Sequence, residues 1–224
     1  MRTFVELRID DPDLLIGLVE AEGIRVGESS DDLRREMEEL VRRRRGEEFP
    51  PPERKRAIRN MLRRGGFRPA GRNKPASEYL AGRAAADDFP FHANVVDIGN
   101  HISLFTGLPV SVLDADRSLG EASGLEIRLG RAKESYVFNP AGQEIDLTGL
   151  VCVARAGGPA LGNPVKDSMD AKVVPGTTRV IAAVYADRTT ADREELREIL
   201  GRFAAMLERH AGAEGTAAAI LANE

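Results

Sequence analysis

The chain has 224 residues, 42% of them hydrophobic and 30% charged, with a formal net charge of −4. That is enough to bury one large core or two small ones, and no apolar run approaches the ~20 residues of a membrane helix. One cysteine, Cys152, excludes an internal disulfide and every Cys-x-x-Cys motif, and three scattered histidines assemble no zinc set, so neither metal nor cofactor is expected.

Residues 3–9 alternate, with Val5, Leu7 and Ile9 on one face, and predict a strand. Glu6 stands where a signal peptide would carry its apolar region, which predicts no export and a cytoplasmic protein. A second apolar run covers 14–20. Ser29-Ser30-Asp31-Asp32 then opens a helix over 31–45, with hydroxyl caps and acids at the positive end of its dipole. Leu33, Met37, Leu40 and Val41 form its inward stripe, and Arg42 to Arg45 suit its carboxyl end. Three prolines from Pro50 break the chain before a second basic helix over 53–64. A Pro/Gly-rich stretch follows, and a third helix resumes over 76–86 with Ser77 as its expected N-cap.

The segment from Asn94 to Asp114 reads as a helix followed by a strand. Val95, Ile98, Gly99, Ile102 and Phe105 share one face, Asn94 is the expected N-cap, and Gly107 with Pro109 stops the helix. Val110 to Leu113 reads as the strand. Asp97, Asn100 and His101 recur at helical spacing, so a carboxylate, an amide and an imidazole cluster. Such groups need partners or a ligand, and either reading stands at this point. Strands are expected over 125–129, 135–138, 150–154 and 179–185, an amphipathic helix over 191–210, and a loose tail over 213–224 after a main domain of 1–212. Runs of strands and helices in this order predict an α+β fold, a single compact domain with a mixed or antiparallel central sheet.

Charge is unevenly spread. Between Arg34 and Arg83 lie 16 Lys/Arg against 7 Asp/Glu, a local balance of +9 that leaves −13 on the remainder. A basic segment on an acidic body is either the footprint of a polyanion or a solvated helix surface. No phosphate loop, dinucleotide fingerprint, His-Glu-x-x-His or nucleophile elbow is present. That points to binding, or to hydrolysis by a positioned water. Cys152 sits mid-strand among apolar neighbours and is read as structural.

Asn94-x-Val96-Asp97-x-x-Asn100, Ser103-Leu104 and Thr106-Gly107-Leu108-Pro109, with Asp114 beyond, resemble the editing domain of the phenylalanyl-tRNA synthetase beta subunit and its short free-standing relatives. Arg72-Asn73-Lys74-Pro75-Ala76-Ser77-Glu78 is similar to the family's Arg-Pro-Ser-Ser-Glu. Lys166-Asp167-Ser168 with Lys172-Val173 is similar to its Arg-Asp-Ser-x-x-Thr-Lys-Val loop. The resemblance covers roughly residues 14 to 210. It implies hydrolysis of mischarged aminoacyl-tRNA, with tRNA as partner and no membrane.

Carried onto this sequence, the resemblance makes Lys166, Asp167 and Ser168 candidate catalytic residues. Lys166 would meet the terminal phosphate or an oxyanion, and Ser168 would align the water. Asn94, Asp97, Asn100, Ser111, Glu78 and His92 would bind substrate, with Asp97 taking the α-ammonium or orienting a loop. Independently of the resemblance, the charge of the basic segment makes Arg59, Arg63, Arg64, Arg72 and Lys74 the candidates to hold tRNA on an outward surface. Ser111 departs from the His of bacterial synthetases and the Gly of free-standing relatives, and Ala171 and Val174 replace two threonines. Two further readings are therefore carried: a tRNA- or aminoacyl-binding module without hydrolysis, and a protein that binds a free amino acid.

Overall fold

The computed structural model describes residues 1–223. In chain order the elements are β1 (Val5–Leu7), β2 (Leu14–Glu22), α1 (Asp31–Arg45), α2 (Pro52–Arg63), α3 (Ala76–Ala85), α4 (Asn94–Thr106), β3 (Val110–Asp114), α5 (Ala115–Leu119), β4 (Leu125–Leu129), β5 (Ser135–Val137), β6 (Glu144–Asp146), β7 (Val151–Arg155), β8 (Ala160–Gly162), β9 (Arg179–Asp187), α6 (Arg193–Ala211) and β10 (Gly215–Ala222). The chain is one α+β unit with mixed and antiparallel sheets, as its pattern of elements predicts.

β2 and β9 are apolar at almost every position, which leaves neither a polar face for water. They pair antiparallel at the centre of a sheet ordered β10-β2-β9-β3. α6 packs on β2 and β10, and it buries Leu196, Leu200, Phe203 and Leu207. Gly17 of β2 makes this close fit possible, because a Cβ there would stand 2.8 Å from Leu200 Cδ2. A second sheet runs β1-β4-β7-β8, with β1 parallel to β4 and the rest antiparallel, and β5 and β6 form a separate hairpin. A smaller apolar cluster, including Met37, Leu40, Ala84 and Leu104, joins α1, α3 and α4.

Local structure differs from expectation at several points. Residues 215–222 are strand β10, not part of a loose tail. Residues 217–222 are all apolar, Ile220 and Leu221 pack against the core, and the ladder with β2 from Glu22 to Leu15 holds the segment extended. Glu224 lies outside the described residues. α3 begins one residue after Pro75, so Ser77 is inside the first turn, and its buried hydroxyl caps nothing. The N-cap of α4 is Ala93. Asn94 uses its side chain as a staple: Oδ1 accepts from the N–H groups of Gly27 (3.1 Å) and Val95 (2.9 Å), and Nδ2 donates to the carbonyls of Arg25 (2.9 Å) and His210 (3.1 Å). α4 ends as expected at Gly107, whose φ of 79° is the left-handed stop.

Candidate functional site

α4 lies flush on β3 because Gly99 has no side chain: a Cβ there would stand 2.5 Å from Val112 Cγ2. β3 is the outer strand of its sheet, and residues 162–173 run along its free edge through a bridge between Leu113 and Lys172. Between α4, β3 and this segment opens a cavity of about 350 Å³. Its polar lining is His92, Asn100, Asp167 and Lys172; its apolar lining is Ala93, Val96, Gly99, Val110, Val112 and Val173.

Asp167 is the carboxylate of this cavity. Its Oδ1 accepts from Ser111 Oγ at 2.6 Å and from the Asn163 N–H at 3.3 Å, and the Val112 N–H also bonds the carboxylate. Burial pushes its pKa up to about 6, against the pull of these donors and of the Lys172 charge. Gly162 leaves the room this needs, since a Cβ there would come within 2.9 Å of Asp167 Oδ1. Ser111 also contacts the Asn163 carbonyl at 3.1 Å and the Tyr185 hydroxyl at 3.0 Å, and burial raises the pKa of that phenol. Asn163 in turn donates to the Tyr136 hydroxyl, which donates to the Lys166 carbonyl. A buried polar network therefore stands behind one carboxylate on the cavity wall.

Of the residues marked in the sequence, His92, Asn100 and Asp167 meet at the cavity. Asp97 does not: it is fully buried, with Ser29 Oγ at 2.6 Å and the His92 N–H at 2.8 Å, and burial raises its pKa. It ties the start of α4 to the chain before α1. Asn94 is likewise used on main chain, and Ser111 stands behind Asp167 and outside the cavity lining. Lys166 holds its Nζ 4.0 Å from the centre of the Phe138 ring; burial and the neighbouring Arg72 charge lower its pKa. Ser168 is buried and caps a 3-10 turn by accepting from the Asp170 N–H. Lys172, which the motif contains but which was not marked as a site residue, lines the cavity, with Nζ 2.6 Å from the Phe138 carbonyl. Cys152 is buried mid-strand, and burial raises its thiol pKa.

The basic segment is largely engaged within the fold. Arg59 forms a bidentate pair with the buried Glu78 (2.6 and 2.5 Å), so two residues expected in different roles bind each other. Arg64 bonds Asp11 and the buried Asp187, each at 2.7 Å. Arg44 is held by the Leu104 and Phe105 carbonyls, and Arg54 by the Thr106 carbonyl and Glu195. The expectation of mostly outward arginines is corrected at Arg44, Arg54 and Arg59, which are half-buried on carbonyls and carboxylates, while Arg64 is exposed but paired. Arg63, Arg68 and Arg72 are exposed, Lys74 is half-buried, and among the described residues none of the four is in a salt bridge. The segment from Arg72 to Ser77 lies beside the cavity loop, through a bond from the Ala76 N–H to the Pro164 carbonyl.

A larger cleft of about 530 Å³ lies between residues 8–14, the end of α2 and β4. Arg64 and Arg128 at its wall are committed to carboxylates, Arg128 to Glu126 and Glu134 at 3.1 and 2.7 Å. Among the described residues no group of three or more His, Cys, Asp or Glu is arranged to hold a metal, and no helix is long and apolar enough to cross a membrane.

The same fold is found in an N-terminal fragment of the phenylalanyl-tRNA synthetase beta subunit from Pyrococcus horikoshii. The TM-score is 0.54 at 11% identity, over 97% of this chain and 51% of that one. The chain thus spans about half the length of that fragment. No curated protein matches it. The B3/4 domain model matches residues 57–218, a span that contains α3, α4, β3 and the whole lining of the cavity, and the chain belongs to the B3/4 domain family.

Proposed function

We propose that this protein hydrolyses the ester of misattached amino acids on tRNA, with the 3′ end of the RNA held at the cavity between α4 and β3. The observation that carries this reading is Asp167, a carboxylate on the cavity wall whose pKa of about 6 suits a base working near neutrality. An aminoacyl ester is already activated, so a placed water and a polarised carbonyl suffice. The water oxygen attacks the ester carbon while Asp167 takes its proton. Lys172 uses one ammonium proton on the Phe138 carbonyl and keeps two for the developing oxyanion. Collapse of the tetrahedral species breaks the ester C–O bond, and the ribose oxygen recovers a proton from Asp167.

Arg63, Arg68, Arg72 and Lys74 would carry the RNA backbone, since cations without a carboxylate partner are the ones left for phosphate. The test is incubation of the purified chain with a panel of misacylated tRNAs. Ester loss above buffer that disappears in Asp167→Asn is expected, and no loss across the panel overturns the reading.

A second reading, capture of the aminoacylated RNA end without hydrolysis, rests on the hydroxyls. Those of Ser111 and Ser168 are engaged within the protein, and Ala171 presents none. It predicts salt-sensitive retention of tRNA with no ester loss.

A further inference from the structure

The two kinds of side chain around the cavity differ in what they have left to offer. Asp167, Lys172, Asn100 and His92 supply every polar side chain of the lining. The apolar part of the wall is made of Val110 and Val112 from one face of β3, of Ala93, Val96 and Gly99 at α4, and of Val173. No residue on that wall is larger than valine, none is aromatic, and none carries a hydroxyl. The hydroxyls behind Asp167, those of Ser111 and Tyr185, are fully buried and bonded to each other.

We propose that the acyl group taken by this cavity has an aliphatic side chain, as in valine or leucine, and not a hydroxylated or phenolic one. The proposal rests on the aminoacyl-ester reading above for the nature of the ligand. The ester and the α-ammonium engage the charged and amide groups. The side chain is then left against valines and glycine, where burial of a methyl is favourable and a hydroxyl loses water without gaining a partner. Apolar walls of this kind discriminate against an added hydroxyl by up to about a hundredfold. An aromatic acyl group would find no ring to stack on among the valines and glycine of that wall.

The test uses the intact chain and 3′-aminoacylamino-3′-deoxyadenosines, whose amide link is not an ester, with affinity read by calorimetry. The valyl and leucyl compounds are expected to bind at least about tenfold more tightly than the threonyl and tyrosyl ones. In Val96→Thr, at a half-buried helix position, the valyl-to-threonyl ratio should fall severalfold with the melting temperature unchanged. Equal or tighter binding of the threonyl or tyrosyl compound, an unchanged ratio in Val96→Thr, or no binding of any compound overturns the proposal. Because binding of an amide does not depend on ester cleavage, a chain that prefers the valyl compound yet cleaves no ester refutes hydrolysis alone. One that cleaves esters without side-chain preference refutes this inference alone.

Discussion

Ser111 donates its only hydroxyl proton to Asp167 across 2.6 Å. An ionised carboxylate can only accept, so Tyr185 at 3.0 Å is the donor to Ser111, and the bonds run in one direction toward the cavity. Protonation of Asp167 frees the serine proton for the Asn163 carbonyl at 3.1 Å. Ser111→Ala removes the donor that opposes the burial effect and should raise the Asp167 pKa above about 6. Carboxyl NMR titration reads this directly. If the chain hydrolyses esters, the acid limb of the rate profile should lie near pH 6 and move up in Ser111→Ala.

The same carboxyl sets a pH dependence of stability. Its folded-state pKa, about 6, is above the usual aspartate value of about 3.9, so between those values the folded chain binds more protons than the unfolded one. Its contribution to stability is therefore full below about pH 4 and is lost as pH rises through about 6. Asp167→Asn keeps an acceptor for Ser111 without a buried charge, so it should raise the melting temperature at pH 7 and abolish that part of the pH profile. A melting temperature lowered at pH 7 would contradict the assignment.

Arg59 and Glu78 should behave as a structural pair. The Glu78 side chain is 5% exposed, and Arg59→Ala would leave its charge with only the Lys55 ammonium, 3.8 Å away. Because Arg59 is 32% exposed and Lys55 remains, the expected loss is about 1–3 kcal/mol in denaturant unfolding, recovered in part by Glu78→Gln in the same chain. Additive losses would show that the two do not act together.

Arg63, Arg68 and Arg72 should behave in the opposite way. They are exposed and lack carboxylate partners, so triple reversal to Glu should leave the melting temperature nearly unchanged. It should lower tRNA affinity at least about tenfold and flatten its salt dependence. Retained affinity would make this surface a solvated face. Arg64→Glu is the contrasting control: it removes the partner of the buried Asp187 and should destabilise the fold.

The elements legible in the sequence were those with a strong period or punctuation. The stripe from Val95 to Phe105 and the stop at Gly107 mark α4 almost to the residue, and the unbroken apolar run at 180–185 marks the middle of the sheet. β6 and β8 have three residues each, too few for a period to show, and β10 is an alanine-rich run without alternation that is held extended by its pairing with β2. At the site, residue type indicated the neighbourhood but not the direction of each side chain. Asp97 and Asp167 read alike, yet one closes on Ser29 and the other lines the cavity. Arg59 and Arg63, one helical turn apart, read alike too. Only the distant Glu78 separates them, and a pairing across 19 residues has no local signature.

The staple at Asn94 has a consequence for the order in which the molecule assembles. Its amide group joins positions 69 residues earlier and 116 residues later in the chain. Contacts of such separation require the intervening chain to be ordered before they are rewarded. The first turn of α4 therefore gains the last of these four bonds only after the end of α6 is in place. The cavity wall that this turn carries should be completed late, and pulse-labelled hydrogen exchange is expected to find the Val95 amide protected no earlier than the amides of α6.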